Sequence, residues 1–509
     1  MDAEKQLPSD PESVRDVEQG TVEIETVTPQ AGLLGRVLRL EKKLGFEARG
    51  IERVPEALRD RQATFADYAQ MSVIWFSSNI TANNIMVGLL GPLLFGVGLV
   101  DAMVLGALGA MLGALGTAYL GTFGPMAGCR TMVVSRYTMG WWPNKICVLL
   151  NLVIELGYGL VDALLAGQIL SAVNGGGMSV IVGVIIATVI VLAVCLLGIR
   201  MFHLYERYAF VPQLAVLFVL VGVAGPSWDV SSPTVGAAPD RAADRMSFFF
   251  LCVSGSLAWA GSGADFFVYF PPNAQRSKVF LSTTVGLGLS CAMTYLLGVG
   301  IGSGALTNAA WNDAYNVSVG ALLVEVYRPL GSFGDFCAVV VALGIIGNNV
   351  PTIYSAGLNF QLLGRWCMAV PRSVWTLLSV VIYTVCACAG RNELFTVFQN
   401  FLALMGYWVA MWLALIVEDE LLFRRQRDGR SYDWSVWNER DKLPVGLAAL
   451  AAFCVGWAGA VLGMYQSYFT GPLARLVGDG IDLGIPVGMS WSALVYPPLW
   501  WAELRYIGR

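Results

Sequence analysis

Residues 71–84 of the chain read MSVIWFSSNITANN, and residues 257–265 read LAWAGSGAD. In each stretch a Trp stands among small and polar residues, although the flanking sequence is apolar. Backbone that leaves the helical conformation at membrane depth is tolerated only where it is buried in protein or lines a cavity. The two stretches therefore predict two interrupted helices, and the interruptions indicate where a ligand binds.

The composition places these stretches in a membrane protein. The chain has 509 residues, of which 56% are hydrophobic and 13% charged, and its mean hydropathy is +0.62. A soluble domain has about 25% charged residues, so a soluble globule would not hide this apolar excess. The composition excludes a soluble enzyme, a disordered protein, a disulfide-rich secreted domain and a nucleic-acid-binding protein.

Repeated apolar runs of about 20 residues predict an all-α polytopic membrane protein with about 12 transmembrane helices. The expected spans are 68–97, 101–123, 145–172, 178–198, 206–226, 246–270, 279–302, 331–357, 372–389, 393–418, 443–464 and 484–502. We divide the chain into a cytosolic, partly disordered tail (1–62), a first repeat (63–226), a second repeat (246–418) and two C-terminal helices with a short cytosolic end (443–509).

Basic residues concentrate in alternate loops, which indicates the orientation of the chain. They are Arg130, Arg136, Lys145, Arg200, Arg207, Arg276, Lys278, Arg365, Arg372, Arg424, Arg425, Arg427 and Arg430. Loops rich in Lys and Arg face the cytoplasm. An even number of spans with both termini in the cytoplasm satisfies this pattern.

Each interrupted stretch opens a run of about five spans. Five plus five spans with a broken first helix in each half is typical of an inverted-repeat secondary transporter. The alternative is that the small residues only serve close helix packing. Packing explains the pairs Gly109 with Gly113 and Gly298 with Gly302, but it does not explain the amides and the carboxylate inside the two stretches.

Ionisable side chains lie at membrane depth in the third and sixth spans, where a charge is costly and marks a functional site by default. Glu155 and Asp162 are seven residues apart in the third span, so they share one helix face with Tyr158 between them. The sixth span carries Trp259 and Asp265. The alternative for the two acids of the third span is a buried structural network.

The eighth span carries two adjacent amides, Asn348 and Asn349, and we expect Pro351 to break the helix just after them. Aromatic rings sandwich a flat ligand, and amides or carboxylates pair with its edge through hydrogen bonds. A buried carboxyl group can also carry a coupling proton. These residue types therefore fit a site for a planar heterocycle.

The chain resembles the fungal-type purine–cytosine permeases of nucleobase–cation symporter family one. The residues that carry the resemblance are Trp75–Asn79, Gly88–Pro92, Tyr205–Tyr208, Pro212, Trp259, Ala264, Asp265, Asn348, Asn349, Pro351, Tyr354 and Ser355. The resemblance implies a 12-helix fold with five-plus-five inverted repeats. It also implies proton symport, by alternating access, of cytosine and of purines such as adenine, hypoxanthine and guanine across the plasma membrane.

The resemblance further implies a set of substrate-binding residues. They are Ser77, Asn79, Tyr158, Asp162, Trp259, Asn348, Asn349 and Thr352. Trp259 and Tyr158 would stack on the two faces of the base. Tyr158 stands where the family has Trp, and Asp162 and Thr352 stand where it has Asn. An Asp accepts hydrogen bonds or carries a proton, so we expect the fold to carry over while the exact substrate stays open.

The coupling ion follows from the same resemblance. Sodium-coupled relatives place hydroxyl side chains on the eighth span before the pocket amide, whereas residues 344–347 read GIIG. Because residues 344–347 offer no side-chain oxygen to bind sodium, the sequence favours protons as the coupling ion, with Asp162, Glu155 or Asp265 as the proton carrier. We expect no metal and no cofactor beyond the proton gradient, and the single His, His203, cannot build a His-based site.

Two alternatives to nucleobase import stay open. A branch of the family carries pyridoxine, whose basic ring nitrogen suits an Asp, so the protein is alternatively an importer of vitamin B6 or another basic heteroaromatic compound. A non-transporting nutrient receptor on a transporter fold is the third possibility. No nucleophile–base pair is evident, so an enzyme is not expected. The expected partners are a small heterocycle, protons and the lipid bilayer.

Overall fold

The computed structural model describes residues 50–197, 199–424 and 432–508, and it describes their side chains except those of residues 197–207. Twelve long helices follow one another in the described chain. They are α1 (Phe65–Asn79 and Ala82–Leu94), α2 (Leu99–Gly121), α3 (Asn144–Val173), α4 (Val180–Leu197), α5 (Ile199–Ala224), α6 (Ala238–Leu257), α7 (Arg276–Thr307), α8 (Ser332–Leu362), α9 (Arg372–Ala389), α10 (Leu394–Glu418), α11 (Leu447–Gly463) and α12 (Gly484–Tyr506).

Short helices and one small hairpin connect these helices. The short helices are Glu56–Leu58, Phe123–Ala127, Thr131–Val134, Arg136–Met139, Gly225–Ser227, Ala258–Ser262, Asp265–Phe267, Ala309–Val317, Val319–Tyr327, Arg328–Leu330, Arg365–Ala369, Asp419–Arg424, Trp434–Val436 and Ala474–Leu476. The hairpin pairs β1 (Tyr465–Gln466) with β2 (Phe469–Thr470) in antiparallel register.

Each of the predicted spans corresponds to one long helix, which confirms the all-α polytopic class. By length and hydropathy, seven described helices are sufficient to cross a membrane, and the bent pair that forms α1 is an eighth. α4 and α11 are apolar but shorter. Some residues named in the sequence predictions lie outside the described residues. They are residues 1–49 of the tail, Arg425, Arg427, Arg430, and the side chains of Arg200, His203 and Arg207.

Both predicted interruptions are present. The first half of α1 ends at Asn79, the second half begins at Ala82, and the two halves meet at an angle of 61°. The side-chain amide of Asn84 donates to the carbonyl of Asn79 over 2.7 Å, which satisfies an acceptor that the break exposes. α6 ends at Leu257 and continues as the tighter turn Ala258–Ser262.

The packing of the helices follows the predicted repeat of five plus five. α1 packs against α7, and the equivalent pair, α6 and α2, also packs together. α3 packs against α9, and α8 against α4 in the same way. Because each repeat has an odd number of helices, equivalent helices run in opposite directions, as an inverted repeat requires. The centre of the molecule lies between these two groups of four helices.

The small residues predicted to serve packing do so at the closest helix crossings. A β-carbon on Gly298 of α7 would overlap the backbone of Ile85 and approach Gly88 of α1. A β-carbon on Gly113 of α2 would overlap the backbone of Val253 in α6. Glycine is therefore required where these backbones touch. The packing interpretation is correct for these glycines, while the polar residues nearby lie at the breaks.

The predicted helix break at Pro351 is wrong. α8 is continuous from Ser332 to Leu362, with Pro351 inside it. Proline removes one backbone donor, the one that would bond to the carbonyl of Gly347, and packing against neighbouring helices supports the helix around it. Two nearby carbonyls accept side-chain hydrogen bonds in addition. The thiol of Cys195 in α4 donates to the carbonyl of Val350 over 3.4 Å, and the hydroxyl of Thr352 donates to the carbonyl of Asn348 over 3.4 Å.

The basic loops lie together on one face, which we call the N-terminal face because the segment before α1 packs there. Arg53 donates to the carbonyl of Ala127 over 2.8 Å, and Arg59 donates to the carbonyl of Phe270 over 3.2 Å. Arg276 forms an ion pair with Glu420. The connector between α11 and α12 lies on the opposite face, where Asp479 contacts Asp240 at the start of α6.

Candidate functional site

Two aromatic rings face each other beside the break of α6. Trp259 follows α6 and Tyr158 lies on α3; their ring centroids are 6.5 Å apart and their planes are tilted by 21°. Carbon atoms in contact lie about 3.5–4.0 Å apart, so the two ring centres are farther apart than those of two rings stacked directly on each other. Phe401 of α10 packs edge-on against Tyr158, with centroids 5.5 Å apart. We call the space between Trp259 and Tyr158 the aromatic slot.

Asp162 lies one helical turn beyond Tyr158 on α3 and is 1% exposed. Neither of its carboxylate oxygens accepts a hydrogen bond of ordinary length from the described residues, and the amide of Asn83, which approaches it, bonds to Asn348 instead. The phenol of Tyr383 also lies beside it. The hydroxyl of Tyr383 is also without a partner in the described chain. A buried polar group without a partner costs free energy, so these atoms are available to pair with a ligand or a proton.

The two amides of α8 have different environments. Asn348 donates to the carbonyl of Ser78 and accepts from the amide of Asn83 over 3.1 Å, so it fastens α8 to the break of α1. Asn349 donates to the carbonyl of Gly159 on α3 over 3.3 Å, and its Oδ1 has no partner among the described residues. Asn349 therefore has an open acceptor, whereas both ends of the Asn348 amide contact α1.

The residues predicted on α1 are all buried at the break. The amide of Asn79 donates to the carbonyl of Trp75 over 3.0 Å, and its Oδ1 has no partner within the described structure. Ser77 is 5% exposed. Trp75 packs edge-on against Trp259, with centroids 5.7 Å apart. The break of α1 and the aromatic slot therefore share one wall.

Glu155 lies two turns before Asp162 on α3 and has several donors. Asn359 of α8 donates to its two carboxylate oxygens over 2.8 and 2.9 Å. Asn151 donates over 3.0 Å, and the hydroxyl of Ser262 donates over 3.5 Å. The carboxylate of Glu155 thus joins α3, α8 and the turn after α6, which matches the structural-network alternative for this acid.

Asp265 belongs with Glu155 rather than with the aromatic slot. Its Oδ1 accepts from the backbone N–H and the hydroxyl of Thr131, over 2.7 and 2.9 Å, and its Oδ2 accepts from Ser355 over 3.4 Å. Arg130 donates to its backbone carbonyl over 3.0 Å. These contacts tie the end of the α6 interruption to the loop after α2, on the N-terminal face.

The structure brings the predicted residues into two groups. Tyr158 and Trp259 form the slot, Asp162 follows one turn after Tyr158, and Asn349 bonds to the carbonyl of Gly159 next to Tyr158. Asn348, Ser77 and Asn79 lie at the break of α1, and Thr352 is buried on α8, where it bonds to the carbonyl of Asn348. Glu155 and Asp265 form the second group.

Sequence reasoning missed several residues of these groups. Asn83 stands in the quoted polar stretch but was not assigned to the site, and Asn359 is an amide in an otherwise apolar run of α8. Both carried a detectable signal. Phe401 and Tyr383 lie in apolar helices where aromatic residues are common, so nothing in the sequence distinguishes them. Thr131 becomes relevant only through its contact with Asp265.

In the described chain no group of three or more His, Cys, Asp or Glu side chains is placed to hold a metal ion. The site instead combines stacked aromatic rings with open hydrogen-bond acceptors, enclosed by helices from both repeats. A helical membrane protein with two inverted repeats and a buried site at both helix breaks is a secondary transporter.

The chain belongs to the family of permeases for cytosine/purines, uracil, thiamine and allantoin, whose family model matches residues 54–488. Permeases are transporters, so the protein is not an enzyme.

Individual relatives agree with this assignment. The chain is 32% identical to the purine-cytosine permease fcyB of Emericella nidulans over 511 residues, covering 100% of this chain and 99% of that protein. It is 30% identical to the vitamin B6 transporter TPN1 of Saccharomyces cerevisiae over 530 residues, covering 94% and 91%. Among solved structures it is similar to Mhp1, a nucleobase-cation-symport-1 family transporter, in a closed conformation with bromovinylhydantoin bound. That similarity has a TM-score of 0.66 at 16% identity and covers 91% of this chain and 95% of Mhp1.

Proposed function

We propose that the protein imports a nucleobase-type heterocycle, such as cytosine or a purine, by proton symport across the plasma membrane. The observation that carries this proposal is the aromatic slot, flanked by a buried carboxyl group without a hydrogen-bond partner in the described chain. A flat ring inserted between Trp259 and Tyr158 would contact both aromatic faces. Family membership supports this class of substrate.

The open polar atoms define what the edge of the ligand offers. Asp162 contributes two acceptor oxygens, and Asn349 contributes one, within the described structure. Acceptors select a ligand edge that carries N–H donors, as the amino groups and ring N–H groups of cytosine and purines do. A ligand without donors would leave these acceptors unpaired, at a cost of about 1–3 kcal/mol for each.

The same observation favours one second candidate. A carboxylate where relatives have an amide suits a protonated ring nitrogen, which pyridoxine provides, and the similarity to TPN1 supports this substrate. Vitamin B6 and nucleobases share the planar ring but differ in the charge of the edge that faces Asp162. Competition between them therefore separates the two candidates.

Asp162 is our proposed proton carrier. An ionised carboxylate that is removed from water without donors is unfavourable, so Asp162 is protonated before the ligand binds. A protonated carboxyl group donates its O–H to an acceptor on the ring while its other oxygen accepts an N–H, so ligand binding favours the protonated form, as symport requires. Binding and release of the ligand are thereby coupled to the protonation of one side chain. No cofactor is needed, because the proton gradient supplies the driving force.

The experiment is uptake of radiolabelled cytosine into transporter-deficient cells that express the full chain, at pH 5 and pH 7.5. Adenine, hypoxanthine, uracil and pyridoxine serve as unlabelled competitors. Saturable uptake that is stronger at pH 5 and blocked by purines supports the proposal. Uptake of pyridoxine without uptake of cytosine selects the second candidate. Ligand binding without accumulation inside the cells contradicts transport and indicates a nutrient receptor.

The orientation is proposed from the loops. The N-terminal face carries the basic side chains of Arg53, Arg59 and Arg276, and basic loops face the cytoplasm. We therefore place both termini in the cytoplasm and the α11–α12 connector outside the cell. Protease protection of tags at the two termini in intact cells tests this topology, and cleavage of either tag from outside contradicts it.

A further inference from the structure

Another buried carboxyl group lies far along the chain from the central site. Asp482 stands in the connector between α11 and α12, on the face opposite the N-terminal segment, and is 8% exposed. It follows the β1–β2 hairpin and directly precedes α12. Asp482 has no part in the proposed substrate-binding site or in the proposed proton coupling at Asp162.

Asp482 joins four elements through its hydrogen bonds. Its Oδ2 accepts from the phenol of Tyr407 on α10 and from the amide of Gln466 on β1, the latter over 2.6 Å. Its Oδ1 accepts from the backbone N–H of Gly484 at the start of α12 over 2.9 Å. Its own backbone N–H donates to Ser247 of α6 over 2.9 Å. We call this set of contacts the Asp482 latch.

The groups that face Asp482 from these elements are neutral. They are the phenol of Tyr407, the amide of Gln466, the hydroxyl of Ser247 and the phenol of Tyr468 in the hairpin turn. α12 contributes only the backbone of Gly484. The acids of the same face, Asp240, Asp244 and Asp479, interact with one another instead.

A protonated Asp482 has a hydrogen-bond acceptor nearby, and water can reach it. Oε1 of Gln466 has no hydrogen-bond partner in the described structure, and rotating the amide would present this acceptor to a protonated carboxyl group. A small, partly open cleft is lined by Tyr407, Gln466 and Asp482, among other residues, and gives water access to the latch. The site is therefore built to hold Asp482 in either protonation state.

We propose that Asp482 is a proton-binding site, separate from the central site, whose protonation holds the first half of α10 (residues 394–407) against the α11–α12 connector. Burial raises the pKa of Asp482 to about 6, whereas a solvated Asp has a pKa of about 3.9. The closed latch thus binds the proton more tightly than an open, hydrated latch. Acid pH stabilises the closed latch, and this stabilisation is lost as the pH rises through about 6.

The latch reaches the central site through α10. Phe401 lies less than two helical turns before Tyr407 and packs against Tyr158 of the aromatic slot. Closing the latch therefore keeps Phe401 over the slot. This consequence rests on the proposed function, whereas proton binding at Asp482 does not.

The test is hydrogen exchange on the purified full-length protein between pH 5 and pH 7, corrected for the intrinsic pH dependence of exchange. We expect protection of the first half of α10 and of the connector to fall about tenfold from pH 5 to pH 7. Asp482→Asn should remove this dependence. Asp479→Asn, which changes an exposed neighbour, should behave as the wild type does.

Either of two results would overturn the proposal: protection of the wild type that does not vary with pH, or a pH dependence that Asp482→Asn retains. If Asp482→Asn does not fold, Tyr407→Phe replaces it. Tyr407→Phe removes a donor to the ionised carboxylate, so the midpoint should move to higher pH, and an unchanged midpoint contradicts the latch. No substrate is present, so failure here is distinguishable from failure of the transport proposal, which the uptake assay detects.

Discussion

Glu155 and Asp162 are the same kind of side chain on the same face of α3, yet their surroundings are opposite. Glu155 accepts hydrogen bonds from Asn151, Ser262 and Asn359. Asp162, beside the aromatic slot, accepts none of ordinary length from the described residues although it is 1% exposed. One carboxylate is a cross-link between helices, and the other is open to a ligand or a proton.

The comparison shows that burial alone does not identify a functional carboxyl group. Both acids are expensive to bury, but Glu155 accepts hydrogen bonds from three elements. A buried acid without donors calls for an explanation beyond its own contacts, and a bound ligand or a proton provides one. We therefore propose the coupling role for Asp162 and a structural role for Glu155.

The largest expected effect is that of Asp162→Asn. An amide cannot release a proton, so uptake against a gradient should fall at least about tenfold, a change of about 1.4 kcal/mol. Exchange of external for internal substrate should persist. Proteoliposome uptake with an imposed pH gradient, compared with counterflow, measures both. If this variant still concentrates substrate as the wild type does, Asp162 does not have the coupling role that we propose for it.

Trp259→Ala should cause the next largest loss. Stacking of a base on an aromatic ring is worth about 1–3 kcal/mol, so the apparent affinity should weaken by about tenfold or more. Trp366→Ala is the matched control, because Trp366 is 91% exposed. Equal uptake by both variants, with equal amounts of protein at the cell surface, would remove Trp259 from the site.

Glu155→Ala should act on stability rather than on coupling. The change leaves the amides of Asn151 and Asn359 without their acceptor, which costs about 1–3 kcal/mol for each unpaired group. Asp162→Ala leaves no donor unpaired and should cost less. Thermal unfolding of the two purified variants checks this order. A Glu155→Ala variant that is as stable as the wild type but uncoupled would reverse our assignment.

Thr352→Asn is expected to have the smallest effect. Thr352 lies one turn beyond Asn348, and its hydroxyl bonds to the helix backbone. An amide there would offer a donor and an acceptor to the slot, so selectivity between cytosine and pyridoxine should shift by only a few-fold. Competition assays measure the shift. A change larger than that of Trp259→Ala would mean that Thr352 dominates recognition.

Much of the fold could be predicted from the sequence because its signals are local. The polar stretches at residues 71–84 and 257–265 indicated both helix breaks, and apolar runs indicated the helices. The error at Pro351 has a physical cause: neighbouring helices support a proline that would break an isolated helix. The order of the helices and their repeat could therefore be predicted, because the signals for them lie within each segment.

The roles of the carboxyl groups were beyond the sequence because they depend on contacts between distant segments. Asn359, which pairs with Glu155, is 204 residues away along the chain. The sequence suggests Asp265 as a proton carrier beside Glu155 and Asp162. In the structure Asp265 bonds to Thr131, which lies 134 residues away along the chain. Spacing places two acids on one helix face, but only the packed structure shows which of them has donors.

The central claim is that Asp162, and not Glu155, exchanges its proton when substrate binds. The direct measurement is the pH change of a weakly buffered solution of purified protein on addition of the transported heterocycle, for the wild type, Asp162→Asn and Glu155→Gln. We predict equal proton exchange for the wild type and Glu155→Gln, and none for Asp162→Asn. Normal proton exchange by Asp162→Asn together with none by Glu155→Gln would contradict the account.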